Sequence, residues 1–204
     1  WLKGRDKYNR FWRFYVEFHQ DAKTVYGLLP VKSVFYDNQY SIEHIVPISV
    51  LRNHLSGPVL QGASLNPFNL LPAHQRLNIE RSNFNFDFDN DPIVTVLPML
   101  SKRKKSSQKS GFDAEHEWVP PARSKGDIAR SVLYMKLMYP IKKLYTDHHE
   151  DLIRWCLQDR PSQLEKAYND WAYAKWKIQN PLITTPSLLN DSGFLNLLNE
   201  DYPK

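Results

Sequence analysis

The sequence contains almost no cysteine. Cys156 is the single cysteine among 204 residues, so no disulfide can form within the chain. It follows Leu152, Ile153 and Trp155 in an apolar run with helical spacing, which predicts a buried thiol because a free cysteine packs as a small hydrophobe. One cysteine also argues against a zinc site of paired cysteines and histidines. The absence of disulfides is typical of a reducing compartment.

Long hydrophobic runs are absent as well. No stretch approaches the ~18 consecutive apolar residues that a membrane helix needs, and neither a signal sequence nor an internal repeat is recognisable. From these absences we expect no membrane partner. The lone cysteine and the lack of a visible signal sequence favour an intracellular compartment, but the location stays open. Hydrophobic residues make up 42% of the chain and charged residues 24%, which are ordinary values for a folded domain. The length predicts a single domain over residues 1–204.

Basic residues outnumber acidic residues by 27 to 22, which gives a net charge of +5 and a pI of about 9.2. Such a balance favours a polyanionic partner, but by itself it is a weak indicator of nucleic-acid binding.

One charged segment, SKRKKSSQKSG, spans residues 101–111. It has no apolar side chain to bury, so it cannot join a hydrophobic core. Two interpretations remain open for this basic insertion. It is either a solvated hairpin tip or a basic finger in which Lys102, Arg103, Lys104 and Lys105 contact phosphates.

Apolar residues recur at helical spacing at both ends of the chain and at strand spacing between them. The N-terminal spacing predicts a helix over residues 7–28, and a capping-box pattern at Ser124 and Asp127 begins the C-terminal helices over residues 124–180. The intervening patterns predict strands at 34–36, 42–46, 69–71 and 84–88, a helical turn at 50–54, a loop at 57–67 and a helix at 73–82. The expected fold class is α+β, a small strand-rich centre wrapped by helices.

An acid and an imidazole stand side by side in the run SIEHIVP, residues 41–47. Hydrolysis of a phosphodiester needs a base for the attacking water and positive charge at the developing oxyanion. His44, with an expected pKa of about 6.5, suits the first task, and magnesium held by oxygen ligands suits the second. Neighbouring strand residues point to opposite faces, so the chain has to bend for Glu43 and His44 to serve one site. An isolated glutamate next to a histidine is most often a chance neighbour pair on the protein surface.

A second group of polar residues, on the predicted helix at 73–82, strengthens the case that Glu43 and His44 form a site. Asn78 and Arg81 lie three residues apart on the predicted helix and therefore share one face. An amide oxygen can bind magnesium, and a guanidinium can hold a phosphate through two hydrogen bonds. Together the two blocks predict a catalytic centre over residues 41–88.

The chain also contains, in order, the runs EHIVP, NLLPAHQRLNIERSNFNF, WVPPARSKGDIARSVLYMKLMY and RWCLQDRPSQLEKAYNDWAYAKWKIQNPLI. Over roughly residues 42–183 it resembles the endonuclease I family, which comprises non-specific periplasmic and secreted bacterial nucleases of the ββα-metal (His-Asn-His-like) fold. The resemblance implies one ββα-metal nuclease domain, in which a small mixed sheet carries the metal centre.

The resemblance implies a role for each residue of the centre. His44 is the expected general base. Glu43 and Asn78 are the expected ligands of Mg²⁺, for which Mn²⁺ or Ca²⁺ can substitute. Arg81 and Asn83 lie in the family's Asn-x-x-Arg-x-Asn block and are expected to support the site or contact the nucleic-acid backbone, with Arg81 also counted as catalytic.

The family uses an arginine after the histidine to stabilise the cleaved phosphate. Arg52 is the candidate because it is the one arginine between Pro47 and Asn69. The chain departs from the family at Phe68, which replaces a supporting histidine, and in lacking disulfides. The resemblance favours a periplasmic or secreted location, in contrast to the location suggested by the lone cysteine.

Three functions follow as hypotheses. The first is a magnesium-dependent endonuclease that cuts double-stranded DNA, with single-stranded DNA and RNA as further substrates, largely without sequence specificity and leaving 5′-phosphate ends. The second is a nucleic-acid-binding protein that has lost turnover, for which Phe68 is the best argument. The third is a sequence-specific nuclease of restriction or homing type. Retention of Glu43, His44 and Asn78 together favours an active nuclease.

Overall fold

Helices dominate the structure, and the fold class is α+β as predicted. The computed structural model describes residues 4–19, 21–88, 99–102 and 113–199, with side chains at 8–19, 21–88 and 117–198. In chain order the helices and strands of these parts are α1 (Gly4–Arg13), α2 (Val31–Tyr36), β1 (Tyr40–His44), α3 (Ile48–Arg52), α4 (Gly57–Ser64), β2 (Leu70–His74), α5 (Gln75–Arg81), β3 (Phe84–Phe86), β4 (Met99–Lys102), β5 (Asp113–Val119), α6 (Lys125–Met138), α7 (His149–Gln158), α8 (Gln163–Trp176), α9 (Pro181–Thr184) and α10 (Ser192–Asn199). None of the helices described is both long enough and apolar enough to cross a lipid bilayer.

The strands form two small sheets. β1 and β2 are antiparallel, from Tyr40 opposite His74 to His44 opposite Leu70, and α5 follows β2 directly. In the second sheet β5 lies between β3 and β4, parallel to β3 and antiparallel to β4. These elements confirm the strands predicted at 42–46, 69–71 and 84–88 and the helix predicted at 73–82, with shifted ends. β1, β2 and α5 together make a ββα unit.

Helix α6 forms the centre of the hydrophobic core. From Lys125 to Lys136 every residue except Asp127 is buried, so other elements surround this helix on all sides. It packs against α7, α9 and α10 and against the short 3₁₀ turn at Pro67–Asn69. Cys156 of α7 is buried, as the sequence predicts. The C-terminal helices predicted over 124–180 are thus confirmed as α6, α7 and α8.

Aromatic rings join the N-terminal segment and the turn before β2 to the C-terminal helices. The ring of Phe14 lies 4.9 Å from that of Tyr168 and 5.2 Å from that of Trp171. The ring of Phe68 lies 4.9 Å from Tyr134 and 6.1 Å from Tyr168. Phe68, at the position where a supporting histidine was expected, is therefore a buried core residue.

The N-terminal helix is shorter than the predicted 7–28. α1 continues through a π-helical turn at Phe14–Phe18, and the chain leaves helical geometry at His19. Farther along, the amide of Val25 donates to the carbonyl of Pro72 in β2. The apolar spacing does continue beyond His19, but there the backbone forms turns and one hydrogen bond to β2 in place of a regular helix.

Two predicted segments between residues 30 and 67 are wrong. Residues 34–36 belong to helix α2, not to a strand, and the buried residues Val31 and Val34 have the i, i+3 spacing of a helix. Most of the loop predicted at 57–67 is helix α4. Pro58 is compatible with that helix because it lies in the first turn, where an amide hydrogen has no partner within the helix.

The predicted capping box at Ser124 does not form. The hydroxyl of Ser124 donates to the carbonyl of Val25 instead of capping α6. A capping box is present at α8, where Ser162 and Glu165 bond each other's backbone amides. The box at α8 has the glutamate that the motif requires, whereas the third residue after Ser124 is the shorter Asp127 and the Ser124 hydroxyl is used in a tertiary hydrogen bond.

Little of the basic insertion falls within the described residues. Lys102 is the last residue of β4, whereas Arg103, Lys104 and Lys105 lie outside the described ranges. The choice between a hairpin tip and a basic finger therefore stays a prediction.

Gly126 lies where α6 meets the end of α7. A β-carbon at this position would overlap the backbone carbonyl oxygen of Asp159. We expect Gly126→Ala to lower the free energy of unfolding by about 1–3 kcal/mol, the usual cost of overpacking, as measured by denaturant unfolding. Gly193→Ala is the control, because its β-carbon would meet only the exposed side chain of Asp191. Equal destabilisation of the two variants would contradict this interpretation.

Candidate active site

β1 ends in a bend that Asn69 holds in place. The chain turns at Ile45 and Val46, immediately after the Glu43–His44 pair. The side-chain oxygen of Asn69 accepts from the amide of Val46 at 2.8 Å, and its nitrogen donates to the carbonyl of the same residue at 3.1 Å. Asn69 is fully buried. β1 stays paired with β2 through both Glu43 and His44, so this bend follows the pair and does not lie between its two residues as the sequence predicted.

Four residues of the predicted centre line a single surface pocket of about 250 Å³. β1 contributes two of them and α5 the other two. The pocket is lined by Ile42, Glu43, His44, Pro47, Ile48, Asn78, Arg81 and Ser82. The ββα unit thus brings together residues that are more than thirty positions apart in the sequence.

Glu43 is buried and held by two donors. Its Oε1 accepts a hydrogen bond from the hydroxyl of Tyr26 at 2.7 Å and lies 2.9 Å from Nη1 of Arg81. No residue that the structure describes donates to the other oxygen, Oε2. Burial raises the pKa of Glu43, while Arg81 and the Tyr26 hydrogen bond act in the opposite direction. Oε2 is therefore the oxygen available to a metal ion.

His44 is held through one ring nitrogen. Its Nε2 lies 3.1 Å from the backbone carbonyl oxygen of Ser64, the last residue of α4. A carbonyl oxygen can only accept, so Nε2 carries the hydrogen in the neutral ring. Nδ1 then keeps its lone pair and is the basic atom of the imidazole.

The environment of His44 keeps the imidazole neutral. Burial lowers its pKa to about 4; the hydrogen bond to Ser64 raises the pKa, and the charge of Arg81 lowers it further. The expected pKa of about 6.5 is therefore wrong for the folded chain, because the sequence does not show how deeply the ring is buried.

Asn78 presents its amide oxygen as a potential ligand. Its Nδ2 donates to the hydroxyl of Ser41 at 2.7 Å and to the carbonyl of Ile42 at 3.3 Å. With the nitrogen bound to β1 in this way, the orientation of the amide is fixed. Oδ1 is left as the atom that can accept from water or bind a metal ion.

Arg81 is only 1% exposed. Besides its contact with Glu43, it donates from Nη1 to the carbonyl of His44 at 3.4 Å and from Nη2 to the carbonyl of Ile45 at 3.0 Å. Its guanidinium lies 4.8 Å from the ring centre of Phe86. This arrangement differs from the phosphate clamp that the sequence suggested, because the guanidinium binds the acid and the backbone beside the base.

Two further predicted site residues, Arg52 and Asn83, are described by the structure and do not line the pocket. Arg52 is exposed at the end of α3, four residues after Ile48, so it shares a helical face with a residue that does line the pocket. Asn83 is partly buried in the turn after Ser82. The side chains of residues 102–105 are not among those described.

Three residues support the site although the sequence analysis gave them no role there. They are Tyr26, Ser64 and Asn69. No spacing could reveal the first two, because each belongs to a segment far from the motif. Asn69 stands in the run NLLP, and its place just before a strand that pairs with β1 was a usable signal.

The donor atoms fit magnesium better than zinc. Within the described residues, no three histidine, cysteine, aspartate or glutamate side chains are grouped to hold a metal ion. Zinc sites generally need at least three such ligands. Magnesium binds through one or two protein oxygens and keeps several waters, and Oε2 of Glu43 with Oδ1 of Asn78 meets that requirement.

We expect His44 to titrate near pH 4 in the metal-free protein. Its folded pKa lies below the unfolded value of about 6.5, so the unfolded chain binds more protons between these values. The contribution of this residue to stability is therefore lost as the pH falls from about 6.5 towards 4. NMR titration of the ring measures the pKa, with His44→Gln identifying its signal among seven histidines. A midpoint near 6.5 would refute the buried-imidazole interpretation.

Comparison with known proteins places the chain in a family. The profile of the family described as Endonuclease I matches residues 31–187, well over half of the chain. The match includes β1, β2 and α5, and hence every residue that lines the pocket. Among curated proteins, none matches the chain. The chain therefore belongs to the endonuclease I family, whose members are nucleases acting on nucleic acids.

Proposed function

We propose that this nuclease uses Mg²⁺ to hydrolyse phosphodiester bonds of DNA, largely without sequence specificity, leaving 5′-phosphate ends. The observation that carries the proposal is that His44, Glu43 and Asn78 line one pocket. A base and two oxygen ligands on one concave surface are what metal-assisted hydrolysis requires. Double-stranded DNA is the main proposed substrate, with single-stranded DNA and RNA as further substrates. Mn²⁺ or Ca²⁺ can occupy a site with the same oxygen donors.

The base is the neutral Nδ1 of His44. Bound Mg²⁺ supplies positive charge for the phosphate and the leaving oxygen. Nδ1 accepts a proton from water, whose oxygen bonds to phosphorus as the bond from phosphorus to the 3′ oxygen breaks. The departing oxygen takes up a proton from solvent, which gives a 5′-phosphate and a 3′-hydroxyl. Because burial keeps the imidazole neutral, the lone pair of Nδ1 is unprotonated throughout the neutral range.

Two arginines have different proposed roles. Arg81 is a positioning residue, since it holds Glu43 and the carbonyls of His44 and Ile45. Arg52 is the proposed contact of the cleaved phosphate, because it is exposed and shares a helical face with Ile48 at the pocket. The phosphate contacts assigned to residues 102–105 and to Asn83 stay predictions.

We expect the protein to nick supercoiled plasmid with Mg²⁺ and not with EDTA, and His44→Ala to reduce the rate by roughly 10²–10⁴-fold, the usual contribution of a general base. His54→Ala is the matched control, because His54 lies in the turn after α3 and does not line the pocket. Undiminished cleavage by His44→Ala would show that His44 is not the general base.

The same assay distinguishes the alternatives. Binding of plasmid without nicking would support the hypothesis that the protein binds nucleic acid but has lost turnover. Discrete fragments reproduced at the same positions on several plasmids would support a sequence-specific nuclease. Even degradation of every plasmid is the outcome expected here.

Asn78 is the better test of the metal site, because removal of Glu43 would leave Arg81 buried and unpaired. Such a change destabilises a fold by about 3–5 kcal/mol. We expect Asn78→Ala to raise the half-saturating Mg²⁺ concentration by roughly 10- to 100-fold, a range typical of changes around a metal site. Asn78→Asp should restore much of the affinity, because a carboxylate oxygen can replace the amide oxygen.

Tyr26→Phe extends the test to the positioning of Glu43. The variant removes the hydrogen bond to Oε1 while the ion pair with Arg81 stays in place. We expect the half-saturating Mg²⁺ concentration to rise about tenfold. Unchanged values in both Asn78→Ala and Tyr26→Phe would mean that the metal ligands lie elsewhere.

A further inference from the structure

A second concave surface lies between the N-terminal helical segment and α8. This groove has a volume of about 590 Å³, within the range of roughly 300–1,000 Å³ that holds small organic ligands. The groove is lined by three cationic side chains, by three aromatic rings and by one imidazole: Arg10, Arg13, Lys175, Phe14, Phe18, Trp171 and His19. No carboxylate is part of its lining. The groove and the catalytic pocket share no lining residue.

The aromatic side of the groove combines two rings that pack against other rings with one ring that is exposed. Phe14 and Trp171 pack at 5.2 Å from each other and are backed by Tyr168. Phe18 is 65% exposed and forms no ring contact with any residue that the structure describes. An exposed aromatic face beside cationic side chains is the arrangement on which a nucleic-acid base stacks.

The charged side of the groove is positive. Arg13 pairs with Glu17 at 3.0 Å, but both side chains are about half exposed or more, and a surface pair of this kind contributes little. Arg10 and Lys175 form no ion pair with a described side chain. Among the described lining residues there are three cations and no carboxylate, and only Arg13 has an acidic partner, Glu17, so the surface attracts phosphates.

We propose that this groove binds single-stranded nucleic acid, with an unpaired base stacked on Phe18 and adjacent phosphates on Arg10, Arg13 and Lys175. A positive groove that carries aromatic rings is the usual means of holding a single strand without reading its sequence. A duplex offers phosphates but no free base face, so it would use the cations alone. The proposal rests on the proposed function in that the bound strand belongs to the substrate or product of the nuclease.

The helix that borders the groove also touches the catalytic strand. The ring of Trp12 packs edge to face on Tyr40, the first residue of β1, at 5.1 Å. Three residues later the same strand carries Glu43. Nucleic acid held in the groove would therefore lie on a helix that packs against β1, the strand that carries Glu43 and His44.

The test measures binding of a fluorescent oligothymidylate, and of a hairpin duplex of equal charge, to the whole protein in EDTA. The two groove variants are Phe18→Ala and the double variant Arg10→Gln, Lys175→Gln. Tyr36→Ala is the matched aromatic control, since Tyr36 is 67% exposed and Phe18 is 65% exposed. Lys166→Gln is the charge control, because Lys166 is exposed on the opposite face of α8, about two and a half turns before Lys175.

We expect Phe18→Ala to weaken oligothymidylate binding by roughly 5- to 100-fold, the loss of one stacked base, and to leave duplex binding nearly unchanged. The double variant should reduce the slope of log affinity against log salt for the single strand by about 0.7 for each lost contact. Tyr36→Ala and Lys166→Gln should bind like the unchanged protein.

The proposal is overturned if Phe18→Ala binds the oligothymidylate like Tyr36→Ala, or if it weakens duplex and single strand equally. It is also overturned if the double variant keeps the salt slope of Lys166→Gln. These results are separable from those for the proposed function. A protein that fails to nick plasmid but binds oligothymidylate through Phe18 refutes the nuclease mechanism alone, and the reverse pattern refutes the groove alone.

Discussion

The pocket lined by Glu43, His44 and Asn78 depends on the buried contact between Arg81 and Glu43. This contact joins α5 to β1, and the same guanidinium also binds the carbonyls of His44 and Ile45. One side chain therefore fixes both the acid and the backbone that carries the base. A buried charge of this kind is tolerated only when paired, since loss of either partner leaves the other uncompensated. The geometry of the site and the stability of the ββα unit are consequently linked.

Arg81 also resolves an electrostatic conflict between two neighbouring residues. Burial raises the pKa of Glu43 and lowers that of His44, so it favours the neutral form of each. A neutral imidazole is the active form of a base, whereas a neutral carboxyl group cannot serve as a metal ligand. The charge of Arg81 lowers both pKa values. It thus favours the carboxylate of Glu43 and the neutral ring of His44, which are the forms that metal-assisted hydrolysis needs.

The residues of the pocket could be predicted from the sequence because the patterns that place them are local. Spacing places Glu43 beside His44 on a strand and Asn78 on one helical face with Arg81. The resemblance to the family, and not spacing, predicted that the strand and the helix share one site. Tyr26 could not be predicted, because helical periodicity runs through its segment while hydrogen bonding to β2 gives that segment a different path. Arg81 binds Glu43 and backbone carbonyls inside the fold, and the pKa of His44 is lowered, because both side chains are buried. The residue type alone does not show whether a side chain is buried.

The position of Phe68 bears on whether the site is built for turnover. The ring contributes to the core against Tyr134 and Tyr168 and offers no polar atom to the pocket. The next residue, Asn69, bonds both the amide and the carbonyl of Val46, directly beyond the catalytic strand. The bend is therefore supported by an amide and by packing, without the ring nitrogen of a histidine. Because the bend is held by other groups, a phenylalanine here is compatible with an ordered catalytic centre, and this favours an active nuclease over a protein that only binds nucleic acid.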